Sequence, residues 1–214
     1  WDYFGGVEAF GERYLPLPEA VNKSDSGNLS MEDIEHPEGY ILLSFIVDPH
    51  TGLERFNDYR ISYDKLMSDL TQYCRTMTLE EILDVPDVKA RIDRYHEHEQ
   101  SHRDMLLKCS QTDDNVIITN LLDEKHIYCG NRFAIYTLYP EQNIEVRLMA
   151  GKIDDTISIS CGHSILNRTS NTNVSDLMLQ YRGGGHKKVG ACQIPIDRWE
   201  YKFKDIVRKM KIDG

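Results

Sequence analysis

No stretch of this chain is apolar for long enough to cross a bilayer. The longest such run, Tyr40 to Val47, falls well short of the roughly eighteen residues that a membrane-spanning helix needs, so a soluble protein with no membrane partner is expected. A basic-then-apolar leader is also missing, and nothing in the sequence points to secretion. Cysteine is sparse: Cys74, Cys109, Cys129, Cys161 and Cys192 form no CxxC pair and are odd in number. That argues against a disulfide framework and against a thiolate zinc site. A reducing cytoplasm is the expected location, with the thiols behaving as small hydrophobes. Positive charge is short as well, at 25 Lys and Arg against 35 Asp and Glu for a net charge of −10. Proteins that coat long nucleic acids neutralise many phosphates with Lys and Arg, so that class is disfavoured. No internal repeat or low-complexity tract is present.

The charge that is there is placed unevenly. From Gly162 to Gly214 ten Lys and Arg face five Asp and Glu, whereas the first 161 residues carry fifteen against thirty. An acidic protein with one locally basic end suits a small phosphorylated ligand. The 214 residues allow two domains of about a hundred residues each.

Along the chain, VEAFGERYL is weakly helical, and PLPEAVNKSDSGNLS reads as a loop rich in Pro, Ser, Gly and Asn that holds Asp25. SMEDIEH opens with Ser30 three residues before Asp33, an approximate capping box, and Pro37 stops that short helix. GYILLSFIVDPHTG is a buried segment whose pattern fits helix or strand. Tyr63, Leu66, Met67, Leu70 and Cys74 fall on one helical stripe. TLEEIL forms a second helix capped by Thr78, and DVKARIDRYHEHEQSHRDMLLKC a long polar surface or linker helix.

QTDDN breaks the pattern and marks a boundary, giving domains 1–110 and 111–214. Beyond it the rhythm alternates: strands are predicted at NVIITNLL, around HIYC, at Ile144, Val146, Leu148 and Ala150, and at Ile153, Ile157, Ile159 and Cys161 across the turn GKIDD. NVSDLMLQY is a short helix, VGACQIPI a strand, and DRWEYKFKDIVRKM a closing amphipathic helix. The fold class expected is α/β, a largely helical first domain followed by a mixed-sheet domain.

The segment CGHSILNRTSNTNVSDLMLQYRGGGHKKVGA carries the most chemistry. Gly183, Gly184 and Gly185 lie between a helix and a strand, where glycine is a costly choice unless the backbone must approach something closely. Successive amides without Cβ atoms can form an anion-binding nest, and His186 and Lys187 add charge and donors beside it. His163 adjoins the segment and could assist or serve structurally.

This glycine run followed by His186, then Val189, Gly190 and Ala191, resembles the DHH-associated carboxyl-terminal domain of DHH phosphoesterases. SILNRTS matches the family's upstream Ser and Arg turn through Ser164 and Arg168. The resemblance implies that Arg168 and His186 hold a substrate phosphate, with Arg168 as a bidentate fork. Many relatives carry a fourth glycine where this chain has Arg182.

Upstream, the likeness is closest to bacterial exopolyphosphatase-related and oligoribonuclease-like proteins, and VNKSDSG resembles their loop bearing an aspartate metal ligand. It implies two divalent metals, usually manganese, with Asp25 as one ligand; such a pair generates hydroxide and clamps phosphorus. The family's Asp-x-Asp and Asp-His-His motifs do not occur in this sequence. A fragment whose remaining ligands lie upstream is the expectation. The implied function is hydrolysis of a phosphoester, a short oligonucleotide or nucleoside phosphate, at a site between the domains. The alternative is a non-catalytic phosphate- or nucleotide-binding module. A homodimer is the default assembly.

A rival motif, HEQSH from His98 to His102, fits the zinc-protease pattern with Glu99 as base. RYHEHEQSHRD is polar on every side and no third ligand follows, so a solvated helix is expected, with incidental metal affinity through His96, His98 and His102.

Overall fold

The structure, a computed structural model, describes residues 2–151 and 153–214; Trp1 and Lys152, the latter in the expected GKIDD turn, lie outside them. The chain folds as two compact units, Trp1–Ser101 with Tyr128–Ala134, and His102–Ile127 with Ile135–Gly214. No helix among the described residues is long and apolar enough to cross a membrane.

The first unit is helical: α1 (Gly6–Phe10), α2 (Pro16–Asp25), α3 (Met31–Glu35), α4 (Gly39–Val47), α5 (Tyr63–Thr76), α6 (Leu79–Leu83) and most of α7 (Pro86–Cys109). Local chemistry sets several starts. Ser30 with Asp33, and Thr78 with Glu81, form reciprocal capping boxes at α3 and α6, and Ser62 caps α5. The expected loop from Pro16 is instead a helix as far as Asp25. Proline in the first turn lacks only an amide that has no partner there, and its fixed φ suits the start of a helix.

The ambiguous GYILLSFIVD segment is α4, and its burial explains the ambiguity. Leu42 and Ile46 join a cluster with Leu53, Tyr95 and Cys129, while Leu43 joins another with Leu66, Leu70, Ile82 and Val88. A helix packed on several sides has little hydrophobic periodicity to display.

Helix α7 corrects the solvated-helix expectation. Val88, Arg91, Tyr95, His102 and Met105 are buried along it, at spacings of three, four and seven that fall on one helical face. This core-facing stripe runs partly through polar residues. Arg91 is 1% exposed. Its guanidinium donates to the carbonyls of Asp87 and Ile61 at 2.8 and 2.9 Å and lies 4.0 Å over the Tyr59 ring, so hydrogen bonds offset its burial. Next to it Arg60 pairs with Asp87, and Arg94 grips Asp58 with two bonds of 2.6 Å.

The second unit is a six-stranded mixed sheet, β1 (Ser110–Asp113), β2 (Val116–Asn120), β3 (Ile144–Ala150), β4 (Thr156–His163), β5 (Gly184–His186) and β6 (Val189–Pro195), in the order β1-β2-β3-β4-β6-β5. Strands β2 and β3 run parallel, and the other neighbouring pairs antiparallel. The helices α8 (Ala134–Leu138), α9 (Val174–Leu179) and α10 (Trp199–Asp213) accompany it. Val116, Ile144, Val146, Leu148, Ile157 and Ile159 build one sheet face into a core with Val174 and Met178 of α9 and Ile206 and Met210 of α10. The strand expected around HIYC does not form; there the Cys129 amide donates to the His98 ring instead of a ladder partner. All five cysteines are free, and burial pushes the thiols of Cys129 and Cys192 up to about 11, as expected of inert apolar packing.

Candidate phosphate-binding site

Strand register places Gly184, Gly185 and His186 at one edge of the sheet, whereas Ser164 and Arg168 lie on the turn that follows β4. Val189 of β6 pairs with Gly162 of β4 on one side and with His186 of β5 on the other. Cross-strand partners point to the same face, so His186 lies on the face opposite the apolar core. Gly184, Ala191 and Ser160 form the next row but one on that face. His186, Lys187 and Lys188 are all exposed. The tip between β5 and β6, Lys187 and Lys188, is tied down through its backbone: the Val174 amide donates to the Lys187 carbonyl and the His163 amide to the Lys188 carbonyl, both at 2.9 Å.

The three glycines do different jobs. The amide of Gly183 donates to the Met178 carbonyl at 2.9 Å, ending α9, and a Cβ there would sit 2.2 Å from the Ala191 carbonyl oxygen. Its glycine requirement comes from close packing. Gly185 has φ +151°, and a Cβ on it would meet the Val189 oxygen at 2.3 Å, a conformation and a fit that only glycine meets comfortably. Gly184 faces open space.

Ser164 is 2% exposed. Its hydroxyl accepts from the amides of Leu166 and Asn167 at 3.2 and 3.0 Å, which makes it the former of the turn that carries Arg168. Arg168 is exposed and its Nε donates to the Ile165 carbonyl at 2.8 Å. His163 stands on the core side, where its Nε2 donates to the Thr172 carbonyl at 2.8 Å and pins the far end of the loop. Burial, with the nearby charges of Lys188 and Lys187, lowers its pKa despite that bond.

A pH dependence follows. Above about pH 6.5 the ring is neutral both folded and unfolded; as pH falls through that value the unfolded chain binds a proton that the folded chain resists, so stability drops. The melting temperature of the wild type is expected to fall between about pH 7 and about pH 5.5 more than that of His163→Asn. Equal falls would remove this account.

Behind the site, the same face carries polar residues that sequence reading passed over. Glu145 of β3 is 7% exposed, accepts from the hydroxyl of Thr119 at 2.7 Å and pairs with Arg147 at 2.9 and 3.2 Å. Burial opposes the charge on Arg147, and the adjacent Glu145 carboxylate outweighs it, raising the guanidinium pKa. Tyr136 of α8 donates to the Gly162 carbonyl at 3.2 Å, covering that part of the row. An alternating apolar pattern signals only the core face, so the charged pair showed merely as interruptions in β3.

Asp25 belongs to the first unit, exposed at the end of α2. Among the described residues no three His, Cys, Asp or Glu side chains converge where a metal ion could bind, so they do not by themselves supply a two-metal centre. This holds for the HEQSH helix too. His98 packs edge-on against Phe56 and Tyr128 with its Nδ1 3.3 Å from the Cys129 sulfur, whereas Glu99 is exposed beside His96.

No protein-family model matches the chain, and no curated protein matches it. Among solved structures it is similar to a pGpG-specific phosphodiesterase from Vibrio cholerae, with 37% identity and a TM-score of 0.89, covering 100% of this chain and 72% of that one. A DHH domain from a protein described as belonging to a family of ribosomal proteins shares the fold, at 12% identity and a TM-score of 0.53 over 89% of this chain and 45% of its own. An exopolyphosphatase-related protein from Bacteroides fragilis is more distant, with 16% identity and a TM-score of 0.44 over 62% of this chain and 41% of its own. The chain belongs to the DHH phosphoesterase superfamily.

Proposed function

We propose that this protein is a metal-dependent phosphodiesterase acting on short 5′-phosphorylated dinucleotides of the pGpG kind, with the second unit binding the substrate. The observation that carries this reading is the 37% identity over the whole chain to a pGpG-specific phosphodiesterase. The exposed His186 and Lys187 at a glycine-bordered sheet edge, and the exposed Arg168 on the turn after β4, support it, because planar and point cations near an accessible backbone suit a phosphate. In this reading Arg168 forks onto a terminal phosphate, His186 and Lys187 add donors, and the anchored end leaves the internal phosphodiester to be cleaved. Gly183 and Gly185 keep that edge in shape, and Ser164 shapes the turn that carries Arg168. Two divalent metals, manganese by family resemblance, would activate the attacking water, with Asp25 among their ligands.

Addition of water to pGpG breaks the internal ester and yields two GMP. Incubating the full-length protein, upstream segment included, with pGpG and Mn²⁺ and following GMP by chromatography is therefore the test. GMP release that chelation abolishes supports the assignment. Tight pGpG binding without turnover, with or without Mn²⁺, would instead establish a nucleotide-binding module.

A further inference from the structure

Arg182 sits immediately before the glycine run with φ +62°, in the left-handed region. It occupies the turn that ends α9: its amide donates to the Leu179 carbonyl at 3.1 Å and the next amide, of Gly183, to Met178 at 2.9 Å. That pair of bonds defines a Schellman motif, whose left-handed position is ordinarily glycine, because a Cβ there crowds the backbone. The chain thus keeps a strained side chain where none is needed for the turn. Nothing in the fold compensates, since the residue is exposed and its guanidinium has no hydrogen-bond or ion-pair partner among the described residues. Strain held without an internal return is the mark of a position retained for something outside the fold.

The position fits a ligand contact. Arg182 and His186 bracket the three glycines, Arg182 in the turn that ends α9 and His186 at the end of β5. Long cationic and imidazole side chains at those two places can engage two anionic groups of one small molecule. We propose that Arg182 is a specificity-determining residue that contacts a second phosphate of the substrate and so favours ligands with two phosphates over ligands with one. This rests on the dinucleotide reading above. Arginine suits the role better than lysine because its planar fork engages two oxygens at once.

The test compares binding of pGpG, which carries a terminal and an internal phosphate, with GMP, which has only the terminal one, by titration calorimetry on the whole chain. Wild type is expected to prefer pGpG. Arg182→Gly relieves the left-handed strain, and a single such relief in a protein of this size raises the melting temperature by about 2–4 °C. At the same time it should shrink the pGpG preference about tenfold or more, the scale of a lost charge-assisted contact. Arg182→Lys keeps a charge without the fork and should fall between the two. A variant that is stabilised yet keeps the full wild-type preference overturns the role for Arg182 while leaving the phosphodiesterase reading intact. Wild-type protein that binds neither ligand overturns both.

Discussion

Glu145→Ala is expected to lower stability by about 3–5 kcal/mol, because it strands the Arg147 guanidinium without its carboxylate in a largely buried site. The geometry leaves little escape. Arg147 is 18% exposed at its side chain and Glu145 9%, and two nitrogens of the arginine are directed at the one carboxylate. The same substitution removes the acceptor for the Thr119 hydroxyl, itself fully buried. For a chain of this length such a loss corresponds to a fall in melting temperature of about 10 °C, readable by circular dichroism. The paired change Glu145→Leu with Arg147→Met should recover most of it, since replacing both partners removes the uncompensated charge. A single variant that melts within a degree or two of wild type would show that water or a neighbouring group already serves Arg147.

Arg168→Ala carries the second large effect, on binding rather than folding. Loss of a bidentate contact to a phosphate should weaken pGpG affinity about a hundredfold, equivalent to about 2.7 kcal/mol. The side chain is exposed and its Nε bond of 2.8 Å goes to a carbonyl only three residues away, so melting should shift by less than about 2 °C. Arg168→Lys should restore part of the affinity, as charge without the fork. Unchanged affinity would remove Arg168 from the site and leave His186 and Lys187 as the anchors.

Much of this could be read from the residues because the physics was local. The capping box at Ser30, the cap at Thr78, the stripe of α5 and the alternation of β3 and β4 are short-range signals, and each appears where the sequence placed it. The failures lie where tertiary contacts set the outcome. Arg91 and His102 of α7 are buried and His98 is half-buried, so a polar composition concealed a packed face. Prolines at the start of α2 read as a breaker although they begin it. At the site, the glycine run, Arg168 and His186 were recognisable as a motif, but the division of labour among the glycines required the register. Nothing in the letters says that Gly183 is fixed by the Ala191 carbonyl while Gly184 faces open space.

The edge strand β5 has a second consequence, in solubility. A sheet edge offers unpaired backbone groups to any other extended chain. Here that edge is only Gly184–His186, three residues long, without one apolar side chain, and it turns directly into Lys187 and Lys188. Brevity and clustered cationic charge are the usual guards against strand-to-strand association. The residues that would receive a phosphate therefore also keep molecules apart, and neutralising several of them together should cost solubility as well as affinity.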